Sequence, residues 1–166
     1  VLLHRTRGDF PPDFPYSALP PSAIHGLAAQ PAQILTIENL TTFHSWARQH
    51  GDSNTLCLYT AGMPSPAWRA LYDRLLADLT PGIPVYHWGD IDEGGFRIAA
   101  LISRCAAASG HTLRPWKMRP AEIPATQHRP ASTRTMAQMV KYARDAGWED
   151  MVRELEDAGI VAEQEG

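Results

Sequence analysis

Three stretches of this chain repeat one pattern: a short apolar run, a turn, then a segment with a single apolar stripe at helical spacing. "QILTIENLTTFHSWARQHG" places Ile34, Leu35 and Ile37 in a strand that ends at Glu38. Asn39 is positioned to cap a helix through Leu40, Phe43 and Ala47. In "NTLCLYTAGMPSPAWRALYDRLLADLTPG", Leu56 to Tyr59 form the strand, Gly62 breaks it, and Ser65 with Pro66 opens a helix. Trp68, Leu71, Tyr72, Leu75 and Leu79 then share one face. "IPVYHWGDIDEGGFRIAALISRCAAASG" is the third unit, with Ile98, Leu101, Ile102 and Cys105 as its stripe. Consecutive strand–helix units close into a sheet by right-handed crossovers, so the chain is predicted to be α/β with a parallel sheet.

"HTLRPWKM" offers a fourth strand, short or at an edge because Pro115 interrupts it. Two helices close the chain. Met136, Met139, Val140 and Ala143 mark the first, which stops at Gly147, and Trp148, Met151, Val152 and Leu155 mark the second, which stops at Gly159. The expected fold is therefore a parallel sheet of about four strands with flanking helices and a C-terminal helix pair. Residues 1–32 carry Pro11, Pro12, Pro15, Pro20, Pro21 and Pro31 without either period. They read as an extended arm or the end of an upstream region, and residues 33–166 as the domain itself. The chain opens on Val1, as a piece of a longer protein would.

No apolar run approaches the roughly 20 residues needed to span a bilayer. Cys57 and Cys105 lack the paired spacing of a zinc site and read as thiols of a reducing cytoplasm, the expected location. The net charge of −3 does not mark a nucleic-acid binder, but its distribution is uneven. Between His111 and Arg144 stand seven basic residues (Arg114, Lys117, Arg119, Arg129, Arg134, Lys141, Arg144) and one acid, Glu122. Such a run is a solvated surface unless a neighbouring site handles phosphates.

The third unit carries the chemistry. "GDIDEGG" sets Asp90, Asp92 and Glu93 within four positions directly behind a buried strand. In open α/β sheets, ligands gather at the carboxyl ends of strands, where Glu38 also lies. If Glu38, Asp90 and Asp92 meet, each close pair of carboxylates repels by roughly 4 kcal/mol near a protein surface. A proton or a divalent cation must relieve that repulsion. A purely oxygen-based set favours Mg²⁺ or Mn²⁺ over zinc. Gly89 is expected to let the chain leave the strand, and Gly94 and Gly95 to let backbone approach a ligand. The plainer alternative makes Asp90 an N-cap and Glu93 a partner of the helix dipole.

An acid ending one strand and D-x-D ending a later one resembles the Toprim domain of topoisomerases, primases and related nucleases. "ILTIENLTTF" followed by "VYHWGDIDEGGFRI" is similar to the C-terminal domain of JetD, the nuclease subunit of Wadjet anti-plasmid systems, a family related to the A subunit of type IIB topoisomerases. The closing "VAEQEG" also looks like the end of that family's chains. The resemblance covers roughly residues 33–166 and implies a compact Toprim-like fold. It makes Glu38, Asp90 and Asp92 the metal-binding catalytic acids, with Glu93 as a fourth catalytic member. None of Tyr16, Tyr59, Tyr72, Tyr86 and Tyr142 matches the upstream catalytic tyrosine of the topoisomerase subunits, which favours hydrolysis over strand passage.

The expected function is thus metal-dependent phosphodiester hydrolysis of DNA within a plasmid-defence complex. Lys117 and Arg119, leaving a strand end on the ligand edge, are the expected phosphate contacts. SMC-type subunits are the implied partners, a homodimer is left open, and an isolated domain can be silent without them. His87, beside the acids, reads as a structural histidine before a general base. A haloacid-dehalogenase-type phosphatase also uses D-x-D, but on its first strand. The non-enzymatic alternative is a docking module whose acids bind a structural ion.

Overall fold

The sheet begins inside the arm. In the computed structural model, which describes residues 2–4, 16–51 and 53–163, Leu2–His4 (β1) and Ser17–Ala18 (β2) pair antiparallel. Pro11, Pro12 and Pro15 of the arm, and the last three residues of "VAEQEG", lie outside the described residues. The three repeated units follow as β3 (Gln33–Ile37) and α1 (Leu40–Gln49), β4 (Thr55–Tyr59) and α2 (Pro66–Ala77), and β5 (Val85–Trp88) and α3 (Glu93–Ala108). Then come β6 (Leu113–Pro115), a two-residue strand β7 (Arg129–Pro130), α4 (Thr133–Asp145), α5 (Glu149–Ala158) and β8 (Ile160–Val161).

The main sheet runs β2-β1-β4-β3-β5-β6. Its four strands β4, β3, β5 and β6 are parallel, as the strand–helix repeats predict, and β6 stands at the edge. The antiparallel β1 adds to the outer side of β4, in register Leu3 opposite Leu58. Further along the arm, Tyr16 stacks on His44 of α1 at 4.8 Å and meets Phe43 edge-on. Among the described residues, no helix is long and apolar enough to cross a membrane.

Local chemistry sets the helix starts. Asn39 Oδ1 accepts from the amides of Thr41 and Thr42, and Ser65 Oγ accepts from Trp68 N at 3.2 Å ahead of Pro66. Ser65→Ala is expected to cost about 1 kcal/mol, the usual worth of such a cap, read as a lower melting temperature; an unchanged melt would show the cap to be idle. Beneath the caps, β3 is buried on both faces, and Ile34, Leu35 and Ile37 have no exposed surface. Each such side chain contributes roughly 1.5–3 kcal/mol of burial. The predicted stripe of α2 is buried, Leu71 and Tyr72 completely, whereas in α3 Ile98 and Ile102 are buried and Leu101 and Cys105 only half-buried.

The C-terminal helix pair covers α3. Trp148 stands edge-on to Phe96 and donates its indole N–H to the Leu113 carbonyl at 2.9 Å. Gly159 takes the left-handed conformation (φ 63°) that ends α5. The chain then returns to the sheet, where Ala162 and Ile91 exchange two backbone hydrogen bonds of 2.8 and 3.0 Å. The C-terminal segment therefore clamps the residue between Asp90 and Asp92.

Candidate metal and nucleic-acid site

Strand order brings the acids together. Because β3 lies directly beside β5 in parallel register, with Ile37 opposite Trp88, Glu38 and the acidic turn leave neighbouring strand ends. The Glu38 amide donates to the Trp88 carbonyl at 3.0 Å, extending the ladder by one step. The Asp90 amide in turn donates to Glu38 Oε2 at 3.3 Å. Ile91 is buried while Asp90, Asp92 and Glu93 are half-exposed, the alternation expected of an extended Asp-Ile-Asp.

Electrostatics records the crowding. Burial first, and then the Asp90 and Asp92 carboxylates, push the Glu38 carboxyl up to about 7, against the pull of the Asp90 amide. The set is all oxygen, which suits a hard cation. It is not a closed cage. Among the described residues, no group of three His, Cys, Asp or Glu side chains is gathered tightly enough to grip an ion. One reason is visible at Asp92, whose Oδ1 accepts from Gly95 N at 2.7 Å as the N-cap of α3. The capping role considered for Asp90 thus belongs to Asp92, and Glu93 sits in the first turn, where its charge complements the helix dipole. The carboxylates of Glu38, Asp90 and Asp92 fit a divalent ion by their oxygen chemistry and mutual repulsion.

The glycines serve packing more than the ligand approach expected of them. A Cβ at Gly95 would lie 2.1 Å from the Asp90 carbonyl oxygen, so this position lets α3 start against the acidic turn itself. A Cβ at Gly89 would lie 2.8 Å from His87 Nε2 and 2.9 Å from Glu38 Oε2. Gly89 thereby makes room for the His87 ring and the Glu38 carboxylate and has no positive φ to require it for a tight exit.

His87 is wholly buried, and desolvation pulls its pKa down to about 3, so the ring is neutral. The Thr36 hydroxyl donates to the Tyr86 carbonyl at 3.1 Å, so its oxygen accepts from His87 Nδ1–H at 2.9 Å. Nε2 then carries a lone pair, with no hydrogen-bond partner among the described residues. A fully buried ring does not reach a substrate, which supports the structural reading.

The two basic residues expected to touch phosphate are placed differently. Lys117 is exposed, and its Nζ lies 4.8 Å over the ring of Trp88, immediately before the acidic turn. Its backbone is left-handed (φ 51°), a conformation costing an ordinary residue about 1–2 kcal/mol. Arg119 is half-buried and paired with Glu154 of α5. Lys117 therefore stands beside the acidic turn, while Arg119 ties the β6 exit to the helix pair. Arg114, Arg129, Arg134, Lys141 and Arg144 are exposed. Sequence reasoning missed the cavity beneath Lys117, because its walls come from α1, β5 and the 117–127 segment, which no local pattern links.

Two comparisons bear on this architecture. The family model described as "Wadjet protein JetD, C-terminal" matches residues 1–165. A relative from Bacillus cereus (strain Q1), Wadjet protein JetD, is 34% identical over 115 residues, covering 69% of this chain and 24% of that protein. The chain thus matches about a quarter of that relative's length. With a family match from end to end and an α/β sheet that sets acids at adjacent strand ends, the chain belongs to the JetD C-terminal family.

Proposed function

We propose that this chain is the metal-dependent DNA endonuclease domain of a cytoplasmic plasmid-defence complex of the Wadjet type. The observation that carries the reading is the approach of Glu38 to the acidic turn at the ends of β3 and β5, where the Asp90 amide donates to its carboxylate and where burial, with Asp90 and Asp92 nearby, holds Glu38 near neutrality. A Mg²⁺ or Mn²⁺ ion held there supplies Lewis-acid polarisation of a phosphate and a nucleophilic water near neutral pH. The chain's own part is positional. Glu38, Asp90 and Asp92 bind the ion, and the Ile91–Ala162 bridge holds the turn in place. Glu93, in the first turn of α3, takes the part of an outer acceptor that orients the attacking water. Lys117 neutralises a backbone phosphate, and the exposed basic residues between 114 and 144 track the strand. DNA and SMC-type subunits are the proposed partners, and a homodimer is a further arrangement of the assembled complex.

The capping of α3 by Asp92, which gives this acid a structural task, favours a second reading: a docking module whose acids hold a structural ion. Calorimetric titration of Mn²⁺ into the chain tests for the ion first. Binding is expected, and its loss in an Asp90→Ala/Asp92→Ala variant; no binding by the intact chain would remove the main support for catalysis. Asp90→Ala in the assembled complex then separates the two readings. Lost plasmid cleavage with intact assembly fits the nuclease, whereas unchanged cleavage fits docking.

A further inference from the structure

We propose that Glu163 is a further acidic ligand of the ion held at Asp90 and Asp92, delivered to the site by the strand that returns after α5. The inference deepens the nuclease reading and rests on it for the ion, whereas the placement of Glu163 follows from backbone register alone.

One closed pair sets that register. Ile91 N donates to the Ala162 carbonyl at 2.8 Å and Ala162 N to the Ile91 carbonyl at 3.0 Å, in the antiparallel sense. The pair next to such a hydrogen-bonded pair is the close kind, with Cα atoms about 4.5 Å apart. Here that neighbouring pair is Asp90 with Glu163. Side chains directly opposite one another emerge on the same face, and burial identifies which. Ile91 and Ala162 are 1% and 5% exposed and point inward, whereas Asp90 and Asp92 are half-exposed and Glu163 is exposed. Glu163 therefore leaves the backbone on the side of the two aspartates. Asp92 keeps the run extended, with φ −149° and ψ −179°.

Two observations separate this acid from an ordinary surface charge. Like charges directly opposite on adjoining strands are destabilising, and no protein group offsets this one. The Glu163 carboxylate has no ion pair or hydrogen bond among the described residues, and Arg129, opposite Val161 in β7, does not pair with it. The second observation is the flank it occupies. Even-numbered residues of the run through β5 bond toward β3, as the Trp88 carbonyl and the Asp90 amide do with Glu38. Odd-numbered ones bond away from β3, as the His87 carbonyl does with Trp116 N. Ile91 is odd, so the returning strand lies on the flank that Glu38 does not cover. Glu38 and Glu163 bracket the two aspartates, an all-oxygen set of the kind a hard divalent cation takes.

Calorimetric titration of Mn²⁺ into the chain and its variants tests the assignment without any turnover. Glu163→Gln, which keeps the size and removes the charge, is expected to bind Mn²⁺ about tenfold more weakly than the parent, as loss of one partner of a metal site does. Its melting temperature in EDTA is expected to be no lower than the parent's, because the side chain holds no bond of the fold. Glu156→Gln, which removes an equally exposed acid of α5, is the control and is expected to keep the parental affinity. Ala162→Pro deletes the N–H that bonds to Ile91 and is expected to weaken Mn²⁺ binding at least as much as Glu163→Gln. Adding Glu163→Gln to it is expected to cost less than twofold more, because the carboxylate is already undelivered. Parental affinity in Glu163→Gln, with binding still abolished in Asp90→Ala/Asp92→Ala, would overturn the role of Glu163 and leave the nuclease reading standing. Equal weakening by Glu163→Gln and Glu156→Gln would overturn it too, as an effect of net charge. No binding by the parent would remove the nuclease reading and this one with it.

Discussion

Gly95→Ala is expected to lower stability by about 2–3 kcal/mol and to abolish Mn²⁺ binding, although it adds only one methyl group. The added Cβ would stand 2.1, 2.9 and 3.0 Å from the O, N and C atoms of Asp90. All three are backbone atoms, so no rotamer change relieves the clash. Either α3 slides away from the turn or the turn opens. Opening breaks the Asp92 cap on Gly95 N and the Asp90–Glu38 hydrogen bond together. The helix propensity gained by replacing a glycine, about 1 kcal/mol, is too small to compensate. Gly94→Ala is the control. Its Cβ would meet only the Asp92 side chain, at 3.2 Å, and the position is exposed, so stability is expected to stay within about 1 kcal/mol of the parent. Urea unfolding midpoints at constant slope compare the two variants, and a parental midpoint for Gly95→Ala would show that the helix start is not packed on the turn.

Glu38→Gln is expected to move stability the other way when no metal is present. The Glu38 carboxyl sits at about 7 in the fold against 4.5 in the open chain. Between those values the folded state holds more protons, so its stability falls as pH rises through this window and stays low above it. The full difference corresponds to about 3 kcal/mol, which solvent screening of this half-buried side chain reduces to about 2 kcal/mol. Glutamine keeps an oxygen for the Asp90 amide and removes the charge. In EDTA at pH 8 the variant is therefore expected to melt about 5 °C above the parent, and at pH 4 to show no advantage. Added Mn²⁺ should reverse the order, because it stabilises the protein that binds it and not the variant. A variant less stable than the parent at pH 8 in EDTA would mean that the Glu38 carboxylate is not disfavoured by its burial and its acidic neighbours. The pairing of a stability gain with a loss of ligand response is expected of a residue retained for function.

Much of this architecture was legible because its signals are local. Asn39 and Ser65 start helices by accepting from amides two or three residues ahead. The stripe Trp68, Leu71, Tyr72 and Leu75 is a property of one helix, and Pro115 limited β6 wherever that strand paired. Three strand–helix units in succession already required parallel strands. The motif "GDIDEGG" and the glutamate after β3 pointed to the strand ends, where ligands of open α/β sheets collect.

What the sequence determined by itself is therefore the element types, the parallel sheet and the residues able to carry charge chemistry. The tertiary structure alone decided their partners. It placed β3 between β4 and β5, which turns a separation of 52 residues between Glu38 and Asp90 into one hydrogen bond. It drew β1 of the arm onto β4, gave the α3 cap to Asp92, paired Arg119 with Glu154, and brought Ala162 back to hold Ile91. It also assembled the cavity around Thr42 and Trp88 from three distant segments. Periodicity and capping reach only a few residues along the chain, whereas these pairings are chosen by burial and backbone hydrogen bonding across the whole fold, which no local stretch encodes.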